Sequence, residues 1–158
     1  MRTNTLCAVF VALALLAASP VFSAAPTTQA SNLVASGIGP NQATLSWTNG
    51  DGAARIVLCN ESSSSFPDPS NGVKYEDTNI FGNGSEIGTG TWVVMNRSAS
   101  SVQILNLAPN TVYWVKVCEY NTPTSPEYLT SAATNNPISF RTLSASGSSI
   151  TSWIRYDY

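Results

Sequence analysis

Between Leu107 and Asn121 the chain reads LAPNTVYWVKVCEYN, with a proline and a tyrosine placed just ahead of an alternating apolar run. Proline withholds a backbone donor where a chain leaves one sheet. A tyrosine in the next strand can send its ring into a core while its hydroxyl returns to upstream backbone. From Tyr113 onward the residues alternate with period two, the pattern of a strand. Elsewhere no long run keeps a helical period. Short apolar and β-branched runs separated by turn residues imply an all-β domain. Strands are expected at 30–34, 42–48, 54–60, 91–96, 101–107, 112–120 and 138–143.

The remaining stretches read as loops. TNGDG (Thr48 to Gly52) is a turn signal, in which Asn and Gly tolerate positive φ at little steric cost. Asn49 and Asp51 there are too few to make a calcium loop. ESSSSFPDPSNG (Glu61 to Gly72) and FGNGSEIGTGT (Phe81 to Thr91) are rich in Ser, Pro, Asn and Gly. A short edge strand at Val73 to Tyr75 is expected between them, with Lys74 turned to solvent. The glycines lack the spacing of a phosphate-binding or dinucleotide motif.

The complete pattern Leu107-x-Pro109-x-Thr111-x-Tyr113, a tyrosine corner, together with Trp47 in ATLSWTN and a closing ISFRTL, resembles the fibronectin type III family. The resemblance spans about Pro26 to Leu143. With FGNGSEIGTGTWVV and EYN, the chain looks like a type III-like subgroup of secreted bacterial, Bacteroidota-type, multidomain proteins. It implies an immunoglobulin-like β-sandwich of about seven antiparallel strands with a long insertion before the fifth. Such modules serve as spacers, adhesion surfaces or accessory units, and the family supplies no catalytic motif.

Ahead of that domain, MRTNTLCAVFVALALLAASPVFSAAP has a charged start at Arg2, an apolar run from Leu6 to Ala18, and small residues up to Ala25. This is the layout of a secretory signal peptide cleaved after Ser23 or Ala25. The run falls short of the roughly twenty residues a bilayer span needs. Residues 1–25 are therefore assigned to the signal, 26–143 to the domain, and 144–158 to a Ser/Gly linker with an apolar tail. Secretion to the cell exterior or cell surface is expected, with no membrane span in the mature chain.

Export leaves Cys59 and Cys118 in an oxidising compartment. If Tyr113, Val115 and Val117 point inward, Trp114, Lys116, Cys118 and Tyr120 point outward. On the third strand Ile56 and Leu58 are expected inward, with Arg55, Val57 and Cys59 outward. In the resembled fold the third and sixth strands are antiparallel neighbours, so a Cys59–Cys118 bridge is expected, with two free thiols as the alternative.

The chain contains no histidine, which excludes His-based triads and His metal ligands. The carboxylates Glu76, Asp77, Glu86 and Glu119 are candidates for a glycosidase pair, but nothing in the sequence makes them converge, and solvated loop charges are the preferred reading. No catalytic residue, metal or cofactor is assigned. The scattered basic residues form no stripe for nucleic acid. For binding, the outward set Trp114, Tyr120, Lys116, Arg55 and Arg141 is the candidate face for an extracellular protein or glycan. The tail residues Ile150, Trp153, Ile154, Tyr156 and Tyr158 could add a strand to a neighbouring copy. The expectation is a non-catalytic interaction module, with tail-driven assembly as the alternative.

Overall fold

The computed structural model describes residues 24–61, 63–121 and 124–145. The expected signal segment up to residue 23 and the expected assembly tail from residue 146 lie outside the described residues. The described chain holds β1 (Ser31–Ser36), β2 (Gln42–Thr48), β3 (Ala54–Glu61), β4 (Thr91–Arg97), β5 (Ser101–Leu105), β6 (Val112–Asn121), β7 (Glu127–Tyr128) and β8 (Ile138–Arg141). Among the described residues no helix is long and apolar enough to cross a membrane.

The strands form two antiparallel sheets. One has the order β1-β2-β5, and the other β4-β3-β6-β7, with β8 also paired to β6. β2 shows how patterning selects this layer: Ala43, Leu45 and Trp47 are buried, while Gln42, Thr44 and Ser46 alternate with them on the wetter face. The insertion lies between β3 and β4, before the fourth strand and not the fifth. Val73 to Tyr75 form no strand, although Lys74 is exposed as expected.

The corner closes as its residues suggest. The Tyr113 hydroxyl accepts the Ala108 N–H at 2.9 Å, and Thr142 Oγ1 donates to Ala108 O at 2.6 Å. The Tyr113 ring meets Phe81 edge-on and stacks with Phe140. The chain enters β1 beside the end of β2 and leaves β8 beside the start of β6, so entry and exit lie at opposite poles.

β3 corrects the expected facing. Its register sets Cys59 opposite Val115, Val57 opposite Val117 and Arg55 opposite Glu119. Paired residues share a face, so Val57 and Cys59 enter the core between the sheets, with Tyr113, Val115 and Val117. Ile56 and Leu58 lie on the other face with Cys118 and Tyr120, in a second apolar cluster that includes Val93, Ile87 and Tyr128 and is flanked by Phe66 and Tyr75. Every β3 position from Ala54 to Asn60 is buried, so the strand carries no alternation to read.

Candidate functional site

The same register separates the cysteines. Cys118 stands opposite Ile56, three ladder positions from Cys59 and on the other face, and both thiols are free and buried. At about 3.4 Å per position this is roughly 10 Å, beyond the reach of a disulfide. Burial raises both thiol pKa values, Cys118 to about 12, so neither is a ready thiolate at neutral pH.

The expected binding face is mostly covered. Tyr120 is buried, tilted against Tyr128 with ring centroids 5.2 Å apart. Tyr128 in turn donates its hydroxyl to Val73 O at 2.9 Å, and burial pushes its pKa upward. Lys116 is buried and its Nζ reaches Asp68 at 3.0 Å. Arg55 turns to the inner side, where its guanidinium binds both Glu119 oxygens and the carbonyls of Gly52 and Ala99. For Arg55 the reason is the register of β3; for Lys116 and Tyr120 it is a covering of the outer face of β3 and β6, made by Phe66, Asp68 and Tyr75 of the insertion and by Tyr128 of β7.

What stays open is the end of that face near the corner. Val112 and Trp114 are half-buried, and their cross-strand partners Arg141 and Ser139 on β8 are exposed. Arg141 Nη1 donates to Asn110 O at 2.9 Å. On the other side of Trp114 its partner is Asn60 on β3. Asn60 begins a groove of about 520 Å³, lined by Asn60, Glu61, Phe66, Pro67, Thr89 and Thr91 among others. Its floor is fixed by Asn60 Nδ2 donating to Thr91 Oγ1 at 2.6 Å. One wall is a tight turn in which Gly88 and Gly90 take positive φ and the Gly90 N–H reaches Glu86 Oε1 at 2.7 Å. Trp114 and Arg141 of this patch belong to the expected face, whereas the groove was not legible, because Phe66, Pro67 and Thr89 stand in stretches that look like plain loop.

The carboxylates are not gathered for acid–base work. Glu119 is fully buried against Arg55, Asp77 pairs with Arg97 at 2.7 Å, and none of Glu76, Asp77, Glu86 and Glu119 lines the groove. At the opposite pole Asp51 serves the chain itself: its carboxylate accepts the N–H groups of Thr27 and Thr28 and the Thr27 hydroxyl. The nearby glycines are there for close approach and not for positive φ. A Cβ on Gly50 would stand 2.0 Å from Thr28 O, and one on Gly52 2.6 Å from Glu119 Oε2. Among the described residues no cluster of Asp, Glu, His or Cys is suited to hold a metal.

A three-stranded β1-β2-β5 sheet facing β4-β3-β6-β8, closed by a tyrosine corner, defines an immunoglobulin-like sandwich. Its fold is that of a fibronectin type III domain. The type III domain of human fibronectin type III domain containing protein 3 is similar, with TM-score 0.50 and 19% identity, over 84% of this chain and 99% of that one. The domain of human contactin 1 gives TM-score 0.51 at 12% identity, over 89% of this chain and 98% of its own. No family model and no curated protein matches the sequence. The fold supports a binding or structural module in general.

Proposed function

We propose that this chain is a secreted, non-catalytic type III-like module that acts at the cell exterior in adhesion, meeting an extracellular protein or glycan through Val112, Trp114, Ser139 and Arg141. The observation that carries this reading is where the covering stops. The insertion lies over the outer face as far as the Lys116–Asp68 pair, and beyond it a half-buried tryptophan stands between an exposed edge strand and a groove. Half-buried aromatics ringed by polar groups are the usual anchors of interfaces. The signal-like leader supports export, and opposite entry and exit poles suit a module set in series with others.

The test is retention of fluorescently labelled protein (residues 26–158) on the outer surface of the producing cells. Trp114→Ala is expected to abolish retention while the circular dichroism spectrum stays unchanged. Retention that survives the substitution removes this patch from the reading.

A second reading, assembly through the tail, is favoured by one edge. β5 is covered by Asn79 to Phe81 and β1 by Thr134 and Asn135, through backbone hydrogen bonds. Beyond β8, which ends at Arg141, the Leu143 N–H bonds Gly39 O at 3.1 Å, and among the described residues no such backbone bond covers the outer edge of β8 itself. Light scattering of residues 26–158 beside residues 26–143 tests it: oligomers only of the longer form support strand addition, and monomers of both dismiss it.

A further inference from the structure

We propose that the groove bounded by Asn60, Phe66 and Thr91, extended by Trp114, binds a neutral oligosaccharide. The inference rests on reading the Trp114 patch as a contact surface and names the chemistry of what it contacts. The groove's volume lies within the range of small-molecule sites. Its lining suits a sugar: an amide and hydroxyls from Asn60, Ser63, Ser65, Thr89 and Thr91, with apolar surface from Phe66 and Pro67. Trp114, directly opposite Asn60 on the neighbouring strand, adds an indole on the same face. Pyranose rings present just this pairing, C–H faces that pack on aromatic rings and hydroxyls that bond around the rim.

Charge selects the class of sugar. Among the described residues Glu61 is the one ionisable side chain that lines the groove, and no basic residue lines it. Lys116 on the same face is held by Asp68; Arg141, bonded to Asn110 O, keeps its charge but stands on β8 opposite Val112, outside the groove lining. Inside the groove a uronate or sulfate would face Glu61 with no cation beside it, whereas a neutral glycan pays no such repulsion. The groove is also set before the ligand arrives. Thr91 N–H bonds Gly88 O at 3.2 Å, Glu86 holds Gly90, and Phe66 packs against the second apolar cluster. Fixed walls lower the ordering cost of binding.

The experiment is a protein-observed NMR titration of residues 26–158 with maltohexaose, cellohexaose, xylohexaose and mannohexaose, and with oligogalacturonate as the acidic probe. At least one neutral hexaose is expected to give saturable shifts at Asn60, Thr91 and the Trp114 indole, and oligogalacturonate none. Trp114→Ala should weaken the neutral sugar about tenfold. Thr89→Trp, at an exposed position in the groove wall, should block it, and Glu61→Lys should confer binding of oligogalacturonate. The proposal is overturned if no neutral hexaose binds up to about 10 mM, an affinity weaker than about −3 kcal/mol. Stronger binding of oligogalacturonate to the unaltered protein, or neutral binding that Thr89→Trp leaves intact, overturns it equally. Should Trp114→Ala abolish cell retention while every neutral hexaose fails, the adhesion reading stands and the sugar inference falls.

Discussion

The core between the sheets and the cluster under the insertion share β3 and β6, yet they are built by different rules. Odd-numbered residues from both strands, such as Val57, Cys59, Val115 and Val117, enter the first; even-numbered ones, such as Ile56, Leu58, Cys118 and Tyr120, enter the second. The first is closed by another sheet, whose β2 and β5 supply Leu45, Trp47, Val102 and Ile104 at alternate positions. The second is closed by single residues from loop stretches, Phe66, Tyr75 and Ile87, with Tyr128 from the two-residue β7. A sheet buried on both faces loses the alternation that would mark its inside, and so it can host a second core without any further strands.

The largest effect is expected where the first core ends in charge. Arg55 and Glu119 are 4% and 0% exposed and 2.9 Å apart, with Glu119 also accepting the Gly50 N–H. Glu119→Ala leaves a buried guanidinium unpaired and should cost about 3–5 kcal/mol by urea denaturation. A loss below about 1 kcal/mol would mean that water reaches this end of the core.

Next come paired truncations, one in each core. Ile104→Ala and Leu58→Ala both remove fully buried aliphatic groups and should each cost about 2–5 kcal/mol. Equal costs make the insertion an integral covering. A small cost at Leu58 alone would show that the loops yield around the cavity and that the second cluster is the softer of the two.

How much of this could be read in advance follows from the same contrast. The corner, Trp47 and the spans of β2 and β6 were legible because alternation and the Pro109–Tyr113 spacing are local signals. The faces of β3 were not, since ARIVLCN offers no polar residue in alternate positions, and the reversed facing produced the mistaken disulfide. Of the expected binding face, Trp114 and Arg141 remain accessible, but Arg55 and Lys116 are taken up by partners that lie far away in the chain, and Tyr120 by Tyr128 across a loop that carried no strand signal. Phe66, Tyr75 and Ile87 gave no periodic signal because each stands alone among Ser, Gly and Pro. β7 is too short to be seen among its prolines.

The cysteines offer a finer probe, one in each core. Both thiols are buried and protonated at neutral pH, so alkylation with iodoacetamide requires opening. Cys118 is expected to react faster than Cys59 in dilute urea, because loops open more readily than a sheet. Equal rates that follow global unfolding would merge the two cores into one cooperative unit.

The smallest effect lies outside both cores, at the tie between Asp51 and the strap leading into β1. The hydrogen bond from the Thr27 hydroxyl, and then the one from the Thr28 N–H, lower the Asp51 pKa from its ordinary 3.8. A carboxylate with a depressed folded pKa contributes stability that is complete above the unfolded value and is lost as the pH falls through the folded one. Asp51→Asn should therefore lower the melting temperature slightly at neutral pH, and the gap should close below pH 3.8 as the native carboxyl becomes protonated. Because the group is exposed, screening by salt should shrink the gap at any pH. A gap that is constant from neutral to acid would assign the loss to the shape of the turn instead of its charge, and the strap would then be held by Gln29, whose amide bonds Leu129 O, Ser131 O and the Glu119 N–H.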